Sequence, residues 1–578
     1  MNTSAFYSKN LKIIFRESPF TILEISDRNT GRIFCKNGKQ TITVRSPLHI
    51  SDATLLSELV SFTQSEDSVR FVLSDDTNEN KAEVVITDSE YGVKFKVKIE
   101  ASEIIWLSEW KLTGFQFDNV IVPALGGQSL SKEMTPETTL SYKYPFWWNA
   151  QFALGEIEND GLFFHTKDDN PFLKLLRVRR EEEEFHIVIG FEAEAPLNKH
   201  IMEAEWFIDS YEKDWRVPVD RHRTWLEQSA IGTELLPLNA NPYLPEWIND
   251  INFVLELWGM RKDQPEPHHT FEQMIDRIKE WKKFHKPENT LLYLPGFAEN
   301  GIDSHAPDYN PSEKCGGDLK FKELIDTAHE LGYHIMLHTN VIALTFSHKL
   351  YPVLKKYQVI DAFNRPLGWG MDIDGDWLPE DFFAYVNPGF TEWGDHMEKT
   401  IGDLLSRYKP DAVFLDQTLL AFNISNGPNF LTGMRNHVQR LKKAFPHILF
   451  AGEGLNEQVL PALPFVQIHG IDSLSEVHGM EGKKTWRKVH PVSSYLFGKY
   501  TRFTAHLLTK YPSHQMFKLQ ENAYKELNVI PALCLYDYKQ KMDIPEVKKM
   551  VQRAKKLKGI FHKNESLYFN KPETREIK

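Results

Sequence analysis

The spacing of apolar residues changes once along this chain, near Trp215, and this change restricts the folds open to it. Before Trp215, short alternating or β-branched runs recur between turn clusters, among them LKIIF, KQTITV, VKFKVKIE and AEWFID. Strands at this spacing are typical of an antiparallel β-sandwich. After Trp215, amphipathic helices alternate with short apolar strands, which is typical of βαβ units and a parallel sheet. The sequence therefore predicts two domains of different class.

Seven apolar strands can be placed in the second region. They are residues 251–258, 290–296, 334–340, 412–417, 447–454, 465–470 and 529–538. Seven strands over roughly 290 residues, with helices such as FEQMIDRIKEWKKF between them, fit an eight-stranded (β/α)₈ barrel. An open doubly wound sheet is the alternative, but no G-x-G-x-x-G follows a strand and there is no phosphate loop. We predict an antiparallel β-sandwich over residues 1–215, a (β/α)₈ TIM-type barrel over 216–543, and a C-terminal helix and tail over 544–578.

The net charge and the positions of the cysteines limit the partners and cofactors that we expect for this protein. A formal net charge of −12 over 578 residues argues against the basic face that a nucleic acid or an anionic membrane requires. No stretch approaches the ~18 apolar residues of a membrane span, and the first residues show no signal-peptide pattern. Cys35, Cys315 and Cys534 lie far apart, unlike a disulfide framework or a zinc ribbon. We expect a cytoplasmic protein without cofactor or metal, and a homo-oligomer is compatible with the sequence.

Aromatic residues make up 12% of the chain and include 14 tryptophans. Packing in cores and between domains accounts for most of them. Sugar rings, however, bind by stacking their C–H faces on aromatic planes beside carboxylates and amides. A carbohydrate is therefore the ligand class that this composition favours.

Two carboxylates follow consecutive apolar strands of the predicted barrel, where active sites of this fold lie. Asp416 follows AVFL, and Glu453 follows ILFAG. Because adjacent strands are ~4.8 Å apart, the two carboxyl groups can come within roughly 5–6 Å, the separation used by a retaining glycosidase. We predict that Asp416 is the nucleophile and that Glu453 is the general acid/base, its pKa raised by its neighbour's charge. Glu457 competes for the acid/base role, and an Asp at a strand end can instead cap the following helix.

Other polar and aromatic residues are predicted to bind the substrate. His338 and His469 end two other predicted strands. The alternative to a substrate-binding role is that each is a buried histidine whose hydrogen bonds are satisfied inside the protein. The segment 361–389 is too long and aromatic for a simple connector and predicts a lid or subsite wall. The acidic run Asp372-Ile-Asp374-Gly-Asp376 does not fit a calcium loop, because its Gly comes one place early and Phe383 stands where a Glu is needed. The predicted substrate-binding residues are Trp258, Asp308, His338, Asn340, Trp369, Asp372, Asn387, Gln417 and His469.

Several segments resemble glycoside hydrolases in which a galactose-mutarotase-like β-sandwich precedes a catalytic barrel, and this resemblance implies such a sandwich over residues 1–215. They are WWNAQFALGEIENDGLFFHTKDD, DYNPS, HIMLHTN, AYVNPG, AVFLDQ and ILFAGEG, within residues 10–540. The chain is similar to a group of bacterial predicted glycosidases, and remotely to families 101 and 129, which act on α-linked N-acetylgalactosamine. The resemblance implies that the Asp ending strand four, Asp416, is the nucleophile and that the Glu ending strand five, Glu453, is the acid/base. Phe414 stands where the amylase superfamily has Arg and the α-galactosidase clan has Lys, so their substrates do not carry over.

These observations predict a retaining glycoside hydrolase that cleaves an α-linked sugar from an oligosaccharide or glycoconjugate. A transglycosidase or a phosphorylase working with the same carboxylates is one alternative. A catalytically inactive carbohydrate-binding protein is the other, in which the aromatic residues matter and the carboxylates do not.

Overall fold

The computed structural model describes residues 3–169, 172–261, 264–366, 383–468, 486–505 and 515–562. The first part of the chain forms strands only. They are β1 (Thr3–Tyr7), β2 (Leu11–Glu17), β3 (Phe20–Asp27), β4 (Ile33–Lys36), β5 (Gln40–Arg45), β6 (Thr54–Leu56), β7 (Glu58–Gln64), β8 (Ser68–Ser74), β9 (Lys81–Ser89), β10 (Gly92–Glu100), β11 (Leu107–Phe115), β12 (Asn119–Val122), β13 (Gln128–Ser131), β14 (Thr139–Tyr144), β15 (Phe152–Ile157), β16 (Asp160–His165), β17 (Lys174–Glu181), β18 (Glu184–Glu192) and β19 (Ile201–Tyr211).

These strands pair antiparallel in two large sheets. One sheet has the order β1-β2-β3-β4-β11-β18-β17-β14, with β5 and β6 attached to β11. The other has the order β13-β12-β15-β16-β19-β10-β9-β8-β7. Alternation along each strand sends one face into the core, as in β10, where Val93, Phe95 and Val97 are buried. Phe95 stacks on Trp206 at 4.3 Å and meets Trp110 of the other sheet edge-on at 5.4 Å, so aromatic side chains join the two sheets.

Eight parallel strands form the second part of the chain in sequential order around a barrel. Their runs are apolar because parallel barrel strands are covered on both sides; all five residues of the first strand are buried. A parallel bridge between Thr504 and Ile530 joins the seventh strand to the eighth and closes the ring. The barrel strands are β20 (Phe253–Leu257), β21 (Thr290–Leu294), β22 (His334–Asn340), β25 (Ala412–Asp416), β26 (Leu449–Glu453), β27 (Phe465–Gln467), β29 (Arg502–Thr504) and β30 (Ala532–Leu535).

Helices surround the barrel and connect it to the sandwich. The α-helices are α1 (Arg216–Gln228), α2 (Phe271–Trp281), α3 (Gly317–Leu331), α4 (Tyr351–Leu354), α5 (Thr391–Tyr408), α6 (Phe430–Ala444), α7 (Val492–Phe497), α8 (Gln515–Glu526) and α9 (Pro545–His562). Short 3₁₀ turns span Gly232–Glu234, Leu238–Ala240, Glu246–Asn249, Pro287–Asn289, Glu313–Cys315, Lys355–Tyr357 and Leu460–Ala462. Within the described ranges, no helix is both long and apolar enough to cross a membrane.

Three further short strands lie outside the barrel wall. β23 (Ala343–Thr345) and β24 (Phe383–Tyr385) pair with each other in a separate two-stranded sheet. β28 (Arg487–Val489) comes from the barrel half of the sequence but pairs with β13 at the edge of a sandwich sheet. The barrel half of the sequence therefore contributes one strand to the sandwich, in addition to the helix α1 that connects the two domains.

The predicted fold class, an antiparallel sandwich followed by a (β/α)₈ barrel, is confirmed. The strand that the sequence pattern did not reveal is β29, which has only three residues, RFT. A run this short carries no periodicity, and its neighbours in the ring, not its own composition, make it a strand.

Candidate active site

Asp416 and Glu453 are the last residues of neighbouring barrel strands, β25 and β26. Leu415 pairs with Gly452 in register, so the next residue on each strand emerges at the same level of the barrel mouth. The Glu453 carboxyl is close enough to raise the pKa of the Asp416 carboxyl. The backbone N–H of Gln417 donates to Oε2 of Glu453 at 2.9 Å, which holds the longer side chain against the shorter one.

A third carboxylate, Asp303, completes the cluster. It lies in the loop after β21, and Nε2 of His338 is 3.3 Å from its Oδ1. Asn340 Nδ2 donates to Asp303 Oδ1 at 3.2 Å and to Asp416 Oδ2 at 3.2 Å. Sequence reasoning did not select Asp303, because it follows no apolar run; its place in the long loop after a barrel strand was the available signal.

The orientation of the Asn340 amide follows from its other contacts. Its Oδ1 accepts the backbone N–H groups of Ile342 and Ala343 at 3.0 and 2.9 Å. The –NH₂ group must therefore face the carboxylates. It also donates to Oε1 of Gln417 at 3.0 Å, and Gln417 in turn donates to the hydroxyl of Tyr385 at 2.9 Å. The site thus has a fixed hydrogen-bond donor between two negative groups.

The buried negative charges of the cluster favour keeping one proton bound to it at neutral pH. Burial, together with the negative charges of Glu453 and Asp303, raises the pKa of Asp416 well above its usual value. Neighbouring carboxyl groups that shift each other's titration titrate as a pair, so the retained proton belongs to the pair of Asp416 and Glu453. A site with one ionised carboxylate and one carboxylic acid can supply both a nucleophile and a general acid.

Aromatic residues line the floor below the carboxylates. The hydroxyl of Tyr293 is 2.7 Å from Nδ1 of His338, and the ring of Phe414 lies nearly parallel to the His338 imidazole, with centroids 5.7 Å apart. Phe414 also contacts Tyr293 at 4.9 Å. The position two residues before Asp416 therefore presents an apolar ring inside the barrel, where the amylase and α-galactosidase clans have a cation.

Of the predicted substrate-binding residues, His338, Asn340 and Gln417 lie in this cluster, whereas Trp258, Asp308 and Asn387 contact other partners. Trp258 ends the first strand and packs against Tyr536 at 5.2 Å. The amide of Asn387 is engaged in its own loop, donating to the carbonyl of Pro428 at 2.8 Å and accepting from Gly389 N–H at 2.9 Å. Trp369, Asp372 and His469, together with the rest of the acidic run at 372–376, lie outside the described residues.

Two groups of side chains within the described part of the chain have the composition of a metal site. One is Asp303, His338 and Asp416; the other is His305, Asp308 and His348. In the first group, a metal would have to displace the Asn340 –NH₂ group from both carboxylates.

The second group has a proton where a metal would bind. Nδ1 of His348 accepts the backbone N–H of Leu350 at 3.1 Å, so its Nε2 carries the proton that faces Asp308 Oδ2 at 3.1 Å. Lys349 Nζ lies 3.3 Å from the same oxygen. Asp308, His348 and Lys349 form an ion-pair cluster between the loops after the second and third strands.

Glu457, the competitor for the acid/base role, has its partners in the sandwich and the connecting helix. Its carboxylate is fully buried at the junction with the sandwich, where Tyr144 donates at 2.9 Å and Gln151 at 3.1 Å to Oε2. The acceptor capacity of Glu457 is used by the sandwich, which leaves Glu453 as the carboxylate that faces the barrel mouth.

The fold and the site define a two-domain protein, a β-sandwich followed by a (β/α)₈ barrel whose mouth carries three carboxylates. By sequence, the chain belongs to the family described as "Domain of unknown function (DUF6259)", whose model matches residues 202–504. No curated protein matches the chain.

Solved structures with the same architecture exist. The ligand-free α-N-acetylgalactosaminidase NagBb from Bifidobacterium bifidum superimposes with a TM-score of 0.69 and 13% identity, over 97% of this chain and 93% of that one. Its complex with GalNAc gives a TM-score of 0.68 and 12% identity, over 96% and 93%. The GH36 α-galactosidase AgaA from Geobacillus stearothermophilus gives a TM-score of 0.46 and 12% identity, over 97% and 86%. The likeness to NagBb confirms, at the level of fold, the predicted resemblance to sandwich-and-barrel glycoside hydrolases.

Proposed function

We propose that this protein is a retaining α-glycosidase in which Asp416 is the nucleophile and Glu453 is the general acid/base. The observation that carries the proposal is that these two carboxyl groups end adjacent barrel strands at the same level, with the N–H of Gln417 bonded to Glu453. In the first step, Asp416 attacks the anomeric carbon while Glu453 protonates the departing oxygen. In the second step, Glu453 takes a proton from water, and this water releases the sugar from Asp416.

The spacing of the pair supports retention of configuration. An inverting enzyme needs its carboxyl groups about 6.5–9.5 Å apart, so that a water molecule fits between one of them and the sugar. Carboxyl groups at the same level of adjacent strands, which are ~4.8 Å apart, are nearer to the about 5–5.5 Å of a retaining enzyme. The retained proton of the pair supplies the acid for the first step, and the donor Asn340 stabilises the ionised form of Asp416 at 3.2 Å.

The substrate class we propose is a carbohydrate with an α-linked terminal sugar. Asp303, His338 and Asn340 offer acceptors and donors of the kind that sugar hydroxyls require, and they adjoin Asp416. The similar fold of NagBb, an α-N-acetylgalactosaminidase solved with GalNAc, makes α-N-acetylgalactosaminides the first substrates to test.

The proposal is tested with Asp416→Asn and Glu453→Gln on a panel of aryl α-glycosides. Each variant is expected to fold normally and to lose hydrolysis by a factor of about 10³ or more, as in other enzymes that lose a catalytic carboxylate or its partner. Glu234→Gln, a change to an exposed carboxylate on the outer side of the barrel, is the matched control and keeps full activity. Full activity in both site variants would end the proposal.

Two further measurements define the reaction. Proton NMR of the first-formed sugar shows retention as an α-anomer or inversion as a β-anomer. Azide added to Glu453→Ala should restore turnover of an activated substrate by forming a glycosyl azide. Products formed with and without phosphate, and with acceptor sugars, separate hydrolysis from phosphorolysis and transglycosylation.

A further inference from the structure

The loop that follows Glu453 is attached to the β-sandwich, not only to the barrel. Glu457, four residues after the proposed acid/base, is fully buried. Its Oε2 accepts from Tyr144 of β14 and from Gln151, which precedes β15, and its Oε1 contacts Nε2 of His222 in α1. Tyr144 and Gln151 belong to the sandwich and His222 to the connecting helix, so three distant parts of the chain meet at one barrel carboxylate.

The direction of each hydrogen bond in this junction can be assigned. Burial lowers the pKa of His222 to about 4, so its ring is neutral at neutral pH and carries one N–H. Because a carboxylate only accepts, that proton is on Nε2 and is donated to Glu457. Nδ1 is then an acceptor, and Lys167 Nζ lies 3.4 Å from it. Lys167 thus donates to His222, and His222 donates to Glu457 in the barrel loop.

The backbone of the same loop is held from both sides. The N–H of Glu457 donates to the carbonyl of Asn149 in the sandwich at 3.1 Å. On the barrel side, the N–H of Gly454 donates to the carbonyl of Gln467 at 3.0 Å. Gln458 Nε2 adds a bond to the Tyr144 hydroxyl at 3.2 Å. The short connection from Glu453 to Gln458 therefore has little freedom to move the strand end.

A buried carboxylate with three side-chain donors is a costly way to join two domains. Removing its charge from water costs several kcal/mol, and only good hydrogen bonds compensate for it. Apolar residues could fill the same junction at lower cost. Such a site is expected where orientation matters more than adhesion, and here it lies one turn of chain beyond the proposed acid/base.

We propose that Glu457 is a positioning residue through which the β-sandwich sets the orientation of Glu453. This inference rests on the proposed function of Glu453. A general acid that is misplaced by about 1 Å can cost a factor of 10² in rate. The loss falls on the step in which a proton must reach the departing oxygen, and therefore on substrates whose leaving group is a poor one.

The test compares Glu457→Gln with the wild type on α-glycosides whose leaving groups range from dinitrophenol to an aliphatic alcohol. A glutamine at this position keeps the shape of the side chain but turns an –NH₂ group toward a donor. We expect kcat/KM to fall at least tenfold for the aliphatic leaving group and to change by less than threefold for dinitrophenol, which departs without protonation. An equal loss on both substrates, or no loss on either, would overturn the inference.

The matched control is Glu192→Gln. Glu192 is also a buried sandwich carboxylate at the barrel, 3.2 Å from Lys143 Nζ and accepting from Asn423 Nδ2 at 2.7 Å, but it contacts the loop after β25. In the Glu192→Gln variant, any change in kcat/KM should be the same for all leaving groups. Tyr144→Phe removes one donor from Glu457 without changing charge, and it should show the effect of Glu457→Gln in smaller measure even if that variant folds poorly.

Hydrogen–deuterium exchange provides a readout that does not depend on activity. Amides of residues 449–458 should exchange faster in Glu457→Gln and Tyr144→Phe than in the wild type, and at the wild-type rate in Glu192→Gln. Unchanged exchange in this segment would overturn the attachment of the loop to the sandwich. A wild-type protein that turns over no glycoside would instead overturn the proposed function, with the exchange result standing.

Discussion

The backbone N–H of Gln417 donates a 2.9 Å hydrogen bond to Oε2 of Glu453. Gln417 directly follows the proposed nucleophile, Asp416. Its backbone N–H therefore fixes the side chain of the proposed acid/base relative to Asp416. Gln417 adopts a positive φ of 67°, a conformation that non-glycine residues rarely accept. This bend turns the N–H toward Glu453 and the side chain toward Asn340 and Tyr385, so the strain at Gln417 maintains the site geometry.

Shortening Glu453 separates the geometric requirement from the chemical one. Glu453→Asp keeps a carboxylic acid but withdraws it by one methylene from Gln417 N–H and from the departing oxygen. We expect kcat to fall on the order of 100-fold, whereas Glu453→Gln keeps the contact with Gln417 and loses the proton. Steady-state kinetics on an aliphatic α-glycoside measures both. Wild-type turnover by Glu453→Asp would show that the Gln417 contact has no catalytic consequence.

The sequence revealed Asp416 and Glu453 because a parallel barrel strand is apolar on both sides, and the first carboxylate after such a run marks the strand end. Asp303 has no such context. It lies in an irregular loop with a positive φ of 59°, and only the fold brings it to Asn340 and Asp416. Its place in the cluster could not be deduced from spacing.

Glu457 shows the limit of the same reasoning. From the sequence it is a second carboxylate near the end of the fifth strand, equivalent to Glu453 in composition and reach. The difference between them comes from Tyr144 and Gln151, more than 300 residues earlier in the chain. Contacts over such separations leave no local pattern, and only the docking of the sandwich distinguishes the two acids.

The charge of Asp303 should govern the acidic limb of the pH–rate profile. That charge, with burial and Glu453, raises the pKa of Asp416. In Asp303→Asn the charge is gone, the pKa of Asp416 falls, and the nucleophile remains ionised at lower pH. The acidic limb of kcat/KM should therefore move to lower pH, along with an increased KM if Asp303 binds a sugar hydroxyl. Asp326→Asn, on the exposed face of α3, is the control; a limb that stays in place in Asp303→Asn would contradict the assignment.

The buried carboxyl group of Glu256 should make the free energy of unfolding depend on pH. It lies inside the barrel on β20, in register with Tyr293 and Cys534, and burial raises its pKa from 4.5 to about 8. The folded state therefore binds the proton more tightly than the unfolded state. Any stability associated with the neutral form is fully present below pH 4.5 and is lost as the pH rises toward 8, by about 1.4 kcal/mol per pH unit at most.

Glu256→Gln removes this dependence, because glutamine stays neutral. The thermal midpoint of the variant should equal or exceed that of the wild type, and the difference should widen from pH 5 to pH 8. Differential scanning calorimetry at four pH values measures it, with the exposed Glu66→Gln as the control that shows no such trend. A constant difference between Glu256→Gln and the wild type over this range would contradict a raised pKa at Glu256.

Gly433 of α6 packs closely against Gly389, the glycine of the segment AYVNPG. A methyl group added at Gly433 would lie 2.6 Å from both Cα and N of Gly389, backbone atoms that cannot turn aside. Gly433→Ala should therefore push α6 away from this turn and destabilise the barrel by about 1–3 kcal/mol, although alanine favours helix more than glycine does. Gly402→Ala in α5, where the added methyl meets only the edge of the Phe445 ring at 3.3 Å, is the control and should be neutral or slightly stabilising. Thermal unfolding of the two variants compares them directly, and a Gly433→Ala protein as stable as Gly402→Ala would show that α6 can shift without cost.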